Sequence, residues 1–159
     1  TMSFGQSFQI TPLQMLRAAS AIINGGNLVT PHFAVKSVSE ADGTAVEFNY
    51  EIQSNAIEEK TSLMMKDILR QVVEEGGGKK AYLEGFSIGG KTATSQKLPR
   101  GSGKYISSFI GFSPVDNAKV IAMCLIDEPQ GIYYGGTIAA PVIRELFENI
   151  LPYLEIQNN

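Results

Sequence analysis

The amino-acid sequence predicts an α+β fold in which helices cover an antiparallel sheet. Three segments with helical periodicity are spread along the 159 residues, and three strand-like segments follow one another with no helix between them. Consecutive strands that are joined by short turns pair antiparallel, whereas parallel strands need a long crossover. The length suffices for one domain or for a large piece of one.

Two helices are predicted in the first half of the chain. The first begins at Pro12, after an N-cap at Thr11, and ends at a pair of glycines. The second runs from about residue 57 to residue 75, with Asn55 or Ser62 as its cap, and ends at a run of three glycines. Apolar residues recur at helical spacing in both segments, which predicts that each helix packs one face against a core.

Turn signals predict five strands. The Asp42-Gly43 dipeptide should join residues 33–38 and 44–50 as a hairpin. Three longer strands are predicted at residues 86–94, 105–113 and 118–127. The last two are joined by a tight turn of Pro, Asp and Asn and should be antiparallel neighbours. The apolar string KVIAMCLI in the final strand favours a central strand that helices cover on both faces.

A last helix is predicted over residues 138–151. Pro141 is tolerated there only in the first turn, and Pro152 should follow the end of the helix. The predicted order is therefore helix, hairpin, helix, three strands and helix.

Composition and charge exclude some classes of function. The net charge of −3 and the isoelectric point of about 5.2 argue against a nucleic-acid partner, which would require a basic face. No apolar stretch reaches the ~18–20 residues of a membrane span. The single cysteine, Cys124, lies in an apolar run and is interpreted as a small buried hydrophobe rather than as a reactive thiol.

Three polar features are weak candidates for a site. His32 is the only histidine and has no cysteine partner pattern, so no metal site is predicted. Asp127 and Glu128 end a strand before a proline and are interpreted as a solvated turn rather than as paired acids. The glycines before Lys79 lack the preceding strand and the Gly-Lys-Ser/Thr ending of a phosphate-binding loop.

The segment IGGKTATSQK, residues 88–97, concentrates the polar chemistry of the chain. Gly89 and Gly90 weaken a strand and usually mark a place that a ligand or another backbone approaches closely. Lys91 and the hydroxyl residues at positions 92, 94 and 95 would suit a carboxylate ligand. The strand alone leaves two interpretations open: a solvated strand end, which is the simpler one, and the wall of an active site.

The surroundings of this segment favour an active site. GGKTATSQK resembles the Lys-Thr-Gly signature of the penicillin-binding transpeptidases and serine β-lactamases, which lies on an edge strand. FGQSFQITPLQMLRAASAIINGG is similar to the segment that precedes this signature in class B penicillin-binding proteins. SSFIGFSPVDNAKVIAMCLIDEP and YYGGTIAAPVIREL resemble the strands and the helix that follow it. The resemblance covers nearly the whole chain and is greatest to the stage V sporulation protein D type.

This resemblance implies roles for four residues. As catalytic groups, Lys91 would supply positive potential near the substrate carboxylate, and the backbone N–H of Thr94 would complete the oxyanion hole. The hydroxyls of Thr92 and Thr94 would face that carboxylate. Ala93, in the same substrate-binding strand, stands where the family has glycine, so its β-carbon is expected to hinder close approach of a substrate or β-lactam.

Two other motifs of the family, Ser-x-x-Lys and Ser-x-Asn, do not occur in the 159 residues. In the family these motifs precede the Lys-Thr-Gly signature and provide the serine nucleophile with its activating lysine. Residues 1–159 are therefore expected to be the C-terminal part of a transpeptidase domain, to need the upstream half of that domain as a partner, and to be inactive alone.

By the same resemblance, the parent protein is expected to be a serine-type D,D-transpeptidase. It would cross-link peptidoglycan stem peptides, be acylated by β-lactams, use no cofactor, and lie at the extracytoplasmic face of the bacterial membrane on an upstream anchor. The alternative is a non-catalytic scaffold in division or sporulation, which only Ala93 favours. Intact Ser-x-x-Lys and Ser-x-Asn motifs upstream would favour the enzyme.

Overall fold

A computed structural model describes residues 9–156, in which helices pack on both faces of a small sheet. In chain order the elements are α1 (Pro12–Ile23), β1 (Lys36–Val38), β2 (Ala45–Glu47), α2 (Glu59–Glu74), β3 (Gly89–Gln96), β4 (Tyr105–Ser113), β5 (Val120–Asp127), α3 (Gly135–Ile138) and α4 (Ala140–Tyr153), with a 3₁₀ turn at Lys79–Ala81. The predicted α+β class is confirmed. Residues 4–8, where the segment beginning FGQSF starts, lie outside the described part.

The three long strands form one antiparallel sheet in the order β3-β4-β5. The prediction that β5 is central was wrong for the described residues, in which β4 is the central strand and β5 lies at an edge. Its apolar character has another cause. Alternate residues from Val120 to Ile126 pack against the core that includes Phe147 of α4, and Ile121 packs against the cluster that includes Ile23 of α1. Apolar contacts on two faces therefore do not by themselves identify a central strand.

Helix α1 begins with a reciprocal cap. The Gln14 amide donates to Oγ1 of Thr11 at 3.2 Å, and the Thr11 amide donates to Oε1 of Gln14 at 3.0 Å. This capping box satisfies two donors that the first turn of a helix leaves without partners. The N-cap predicted at Thr11 is confirmed.

Ser62 does not cap its own helix, contrary to the prediction. Its hydroxyl donates to the Ile22 carbonyl at 2.7 Å and accepts from the Gly25 amide at 3.0 Å, so it ties α2 to the end of α1. The side chain is fully buried at this contact. Asn55 is no cap either, because α2 starts after Glu58 without a side-chain cap. The carbonyls at the end of α1 need partners, and Ser62 supplies one.

The predicted hairpin forms at the Asp42-Gly43 turn, where Gly43 has a φ of +73°. The Thr44 amide donates to Oδ1 of Asp42 at 3.0 Å. This bond, together with hydrogen bonds from the side chains of Ser39 and Thr44, lowers the pKa of Asp42 from 3.8 to about 2. Strands β1 and β2 are exposed on both faces. Only local turn chemistry and strand pairing therefore define the hairpin within the described residues.

The main core lies between β4 and α4. Phe109, Ile143, Phe147 and Leu151 are fully buried there. Pro141 lies in the first turn of α4 as predicted, but the prediction that Pro152 follows the helix was wrong, because it lies in the last turn. Pro152 has no N–H to donate to the carbonyl of Glu148, so the last turn forms without that hydrogen bond. Within residues 9–156, no helix combines the length and apolar character that crossing a bilayer requires.

Candidate active site

Strand β3 places the four predicted site residues at an edge of the sheet. It pairs only with β4 among the described strands, with Ala93 opposite Ser108. Successive side chains of a strand point to opposite faces. Lys91 and Ala93 accordingly share an exposed face, whereas Thr92 and Thr94 are half-buried on the other face. The structure thus separates the cation from the two hydroxyls by the thickness of the strand.

Thr92 and Thr94 face the backbone of two consecutive glycines, Gly135 and Gly136. Oγ1 of Thr94 accepts a hydrogen bond of 3.0 Å from the Gly135 amide at the start of α3. Cγ2 of Thr92 lies 3.1 Å from the position that a β-carbon on Gly136 would occupy. Backbone, rather than side chains, therefore lies next to both threonines.

The backbone of β3 shows which groups point away from the sheet. The Thr92 carbonyl accepts from Nζ of Lys91 at 2.7 Å, whereas the Ala93 carbonyl lies with the Ser108 backbone beside Gly135. The N–H and C=O of one strand residue point to the same side, and the side alternates along the strand. Thr94 therefore shares the orientation of Thr92, and its N–H points to the free edge of β3.

Gly89 and Gly90 are explained by packing against the neighbouring strand. A β-carbon on Gly89 would overlap the ring of Phe112, and one on Gly90 would overlap the ring of Phe109 and lie 2.7 Å from the Ile110 carbonyl oxygen. The groups that approach these glycines are therefore β4 side chains and backbone. The two glycines leave room for these rings against β3, so packing explains them without a ligand.

A cluster of charges that sequence reasoning missed lies at the far end of β3. Nζ of Lys97 lies 3.0 Å from Oδ1 of Asp127 and 2.8 Å from Oε1 of Glu128, and Nζ of Lys104 lies 3.0 Å from Oε2 of Glu128. Hydrogen bonds to Lys97 and then Lys104 lower the pKa of Glu128, and bonds to Glu128 and then Asp127 raise the pKa of Lys97. The two carboxylates are partly exposed, as a solvated turn predicts, but they pair with lysines rather than with each other.

The surroundings of His32 and Cys124 indicate structural rather than chemical roles. The ring of His32 stacks on that of Tyr50 with centroids 3.7 Å apart, and its Nδ1 lies 2.8 Å from the Thr30 carbonyl oxygen. Cys124 packs beside the main core, where burial raises the pKa of its thiol. In the part of the chain that the structure describes, no cluster of three or more His, Cys, Asp or Glu residues could hold a metal ion.

Comparisons with known proteins agree with this arrangement. The family model for the penicillin binding protein transpeptidase domain matches residues 1–148. Stage V sporulation protein D of Bacillus subtilis (strain 168) is 38% identical over 162 residues, which cover 99% of this chain and 25% of that protein. The probable peptidoglycan D,D-transpeptidase PenA of Neisseria flavescens is 33% identical over 161 residues, covering 98% of this chain and 38% of that protein.

A solved structure shows the same fold. Penicillin-binding protein 3 of Mycobacterium tuberculosis, complexed with ampicillin, superposes with a TM-score of 0.84 at 25% identity, covering 98% of this chain and 37% of that one. The chain thus spans 25% to 38% of the length of these relatives. The predicted resemblance, including that to the sporulation D type, is confirmed. This chain belongs to the penicillin-binding protein transpeptidase domain family.

Proposed function

We propose that this chain forms one wall of the active site of a serine-type peptidoglycan D,D-transpeptidase. The observation that supports this most directly is the position of Lys91 to Thr94 on a strand edge with which no other described strand pairs, with the Thr94 N–H directed outward. An outward amide on an edge strand is the type of donor that stabilises a developing oxyanion. Residues 1–159 would then be the C-terminal part of the domain, and the nucleophilic serine would come from its upstream half.

The reaction is acyl transfer through a serine ester. The serine oxygen attacks a carbonyl carbon of the stem peptide, the Oγ–C bond forms, the amide C–N bond breaks, and the leaving amine takes the proton that the serine gives up. The amine of a second stem peptide then attacks the ester carbonyl, the new C–N bond forms, the Oγ–C bond breaks, and the serine oxygen takes the proton that the amine gives up, which completes the cross-link. A β-lactam follows the first step, with its ring C–N bond as the bond that breaks.

Each residue of the strand has a role in this scheme. The Thr94 N–H stabilises the oxyanion, and loss of such a donor costs about 2.7–4 kcal/mol of transition-state stabilisation. The hydroxyls of Thr92 and Thr94, on one face of β3, bind the substrate carboxylate. Lys91 adds positive potential from the opposite face, where no ion pair of the described residues includes it.

Partners and location follow from the same proposal. The substrate is a peptidoglycan stem peptide, and β-lactams are inhibitors, as the ampicillin and aztreonam complexes of the Mycobacterium tuberculosis protein support. Peptidoglycan lies outside the cytoplasmic membrane, so the site would lie there as well. No cofactor takes part in the scheme.

A non-catalytic scaffold is the second candidate, and Ala93 is the observation that favours it. Its side chain is exposed on β3, where the family has a bare glycine. A β-carbon at that place would weaken binding of any acyl group that lies along the strand. A silent relative that serves division or sporulation would tolerate this change.

Reaction of the full-length protein with a labelled penicillin separates the two candidates. The enzyme proposal predicts one adduct per molecule by intact-mass spectrometry, and peptide mapping should place it on a serine of a Ser-x-x-Lys motif. A folded full-length protein that forms no adduct would contradict the proposal and favour the scaffold.

A further inference from the structure

The segment Tyr133–Gly136, which includes the first two residues of α3, is bonded to two strands of the sheet. The Ser107 hydroxyl donates to the Tyr133 carbonyl, and Ser107 is fully buried on β4. The Gly135 amide donates to Oγ1 of Thr94 on β3 at 3.0 Å. The segment is therefore bonded to both strands next to the proposed site.

Close packing at position 135 accommodates only glycine. A β-carbon on Gly135 would overlap the carbonyl oxygens of Ala93 and Ser108 and lie 3.1 Å from the Ser108 nitrogen. All of these are backbone atoms in a paired stretch of β3 and β4, so they do not move aside independently. Any side chain at position 135 would lift the segment from the sheet and lengthen the bond to Thr94.

The bond from Gly135 decides where the hydroxyl proton of Thr94 points. A threonine hydroxyl has one proton and two lone pairs, and it rotates to suit its neighbours. Because the Gly135 N–H can only donate, the Thr94 oxygen must accept there and direct its own proton elsewhere. That proton is then available for a carboxylate, to which hydrogen bonds are stronger than to neutral acceptors.

We propose that Ser107 and Gly135 are positioning residues that hold the Tyr133–Gly136 segment so that the Thr94 hydroxyl donates to the substrate carboxylate. This inference rests on the proposed function. Ser107 and Gly135 act through Thr94 and touch no substrate themselves. Their loss should therefore weaken recognition of the carboxylate more than it weakens the fold.

The chain offers a matched control for this inference. Ser113 also lies on β4, is fully buried, and donates its hydroxyl to the carbonyl of Ser87 at 3.0 Å. Ser107→Ala and Ser113→Ala remove the same group from the same strand, and each leaves one backbone carbonyl without its hydroxyl partner. Only Ser107 is bonded to the Tyr133–Gly136 segment.

The test uses the full-length protein and two probes, benzylpenicillin and its methyl ester. The ratio of their second-order acylation rate constants measures how much the carboxylate contributes, and a general loss of stability does not change it. In Ser107→Ala the hydrogen bond from the Thr94 hydroxyl to the carboxylate should be misdirected. Because a hydrogen bond to a charged group contributes substantially to binding, the ratio should fall at least about fivefold. In Ser113→Ala the ratio should stay within about twofold of wild type, even at an equal fall in Tm.

The outcomes separate the inference from the proposed function. An unchanged ratio in Ser107→Ala, or an equal fall in both variants, would overturn the inference alone. A wild-type protein that reacts with neither probe would overturn the proposed function and the inference with it. If Ser107→Ala does not fold, Ser107→Cys keeps a weak donor of similar size and should lower the ratio in the same direction.

Discussion

The ring of Phe112 lies against the backbone of Gly89, its register partner across β3 and β4. Phe112 is 2% exposed and joins a core cluster with Ile23 and Val115. A side chain on Gly89 would have to displace this ring. The glycine before the site is thus required by the packing of the sheet.

Replacement of Gly89 by alanine should destabilise the complete domain by about 1–3 kcal/mol, since overpacking in a core costs this much. Chemical denaturation of the full-length protein measures the effect. Gly77→Ala is the control, because a β-carbon there would lie 3.9 Å from Oγ1 of Thr92, in ordinary contact. It should change stability by less than about 1 kcal/mol. Equal losses in the two variants would refute the packing argument.

The 159-residue chain alone should not be acylated by penicillin, because it contains no Ser-x-x-Lys motif. Intact-mass spectrometry after incubation with a labelled penicillin should show only the unmodified mass. The full-length protein serves as the positive control. A stoichiometric ester on any serine of these residues would show that the nucleophile lies within them.

Ala93→Gly in the full-length protein should speed acylation by β-lactams. Removal of one overpacked methyl group should lower the activation free energy of acylation by about 1–3 kcal/mol, which corresponds to an about 5- to 150-fold higher rate. Stability should fall by only about 0.5–1 kcal/mol, the cost of glycine in a strand. Side-by-side acylation rate constants of the two proteins decide the matter. Equal rates would mean that the strand accommodates the β-carbon.

The charge cluster predicts a pH dependence of stability. The pKa of Glu128 is below its ordinary value of 4.5 in the fold, mainly through Lys97, so its contribution is present above that value and is lost as the pH falls through the lowered pKa. Glu128→Gln should therefore lower Tm at pH 7, and the difference from wild type should vanish in acid and shrink in high salt. Glu84→Gln, at an exposed residue outside the ion pairs of the described part, is the control. A difference that is independent of pH would contradict the role of the ion pairs.

Local signals predicted much of the fold. Helix α1 begins at Pro12 and β4 spans Tyr105–Ser113 as expected, because a cap, turns and an apolar period are encoded within a few residues. The contact of Ser62 with α1 was not predictable in this way. It joins groups 37 and 40 residues apart, and only the packing of the two helices brings them together.

The same distinction holds for the candidate site. The Lys91 to Thr94 string and its resemblance to a known signature predicted an edge strand, and this is confirmed among the strands that the structure describes. The partner of Thr94, Gly135, is 41 residues away in sequence. A glycine has no side chain that would mark it as a functional partner, so the sequence contained no local signal for this bond.

The most direct test of the proposed function is the rate of β-lactam acylation in Lys91→Ala. Lys91 is exposed, and among the described residues its Nζ bonds only to the neighbouring Thr92 carbonyl, at 2.7 Å, so its truncation opens no cavity. Lys80→Ala, at another exposed lysine, is the matched control. The proposal predicts that second-order acylation by benzylpenicillin falls at least about tenfold in Lys91→Ala, the equivalent of one lost charged contact, while Tm and the control stay near wild type. An unchanged rate in Lys91→Ala, or a fall matched by an equal loss of stability, would contradict it and leave Lys91 as a solvated strand residue.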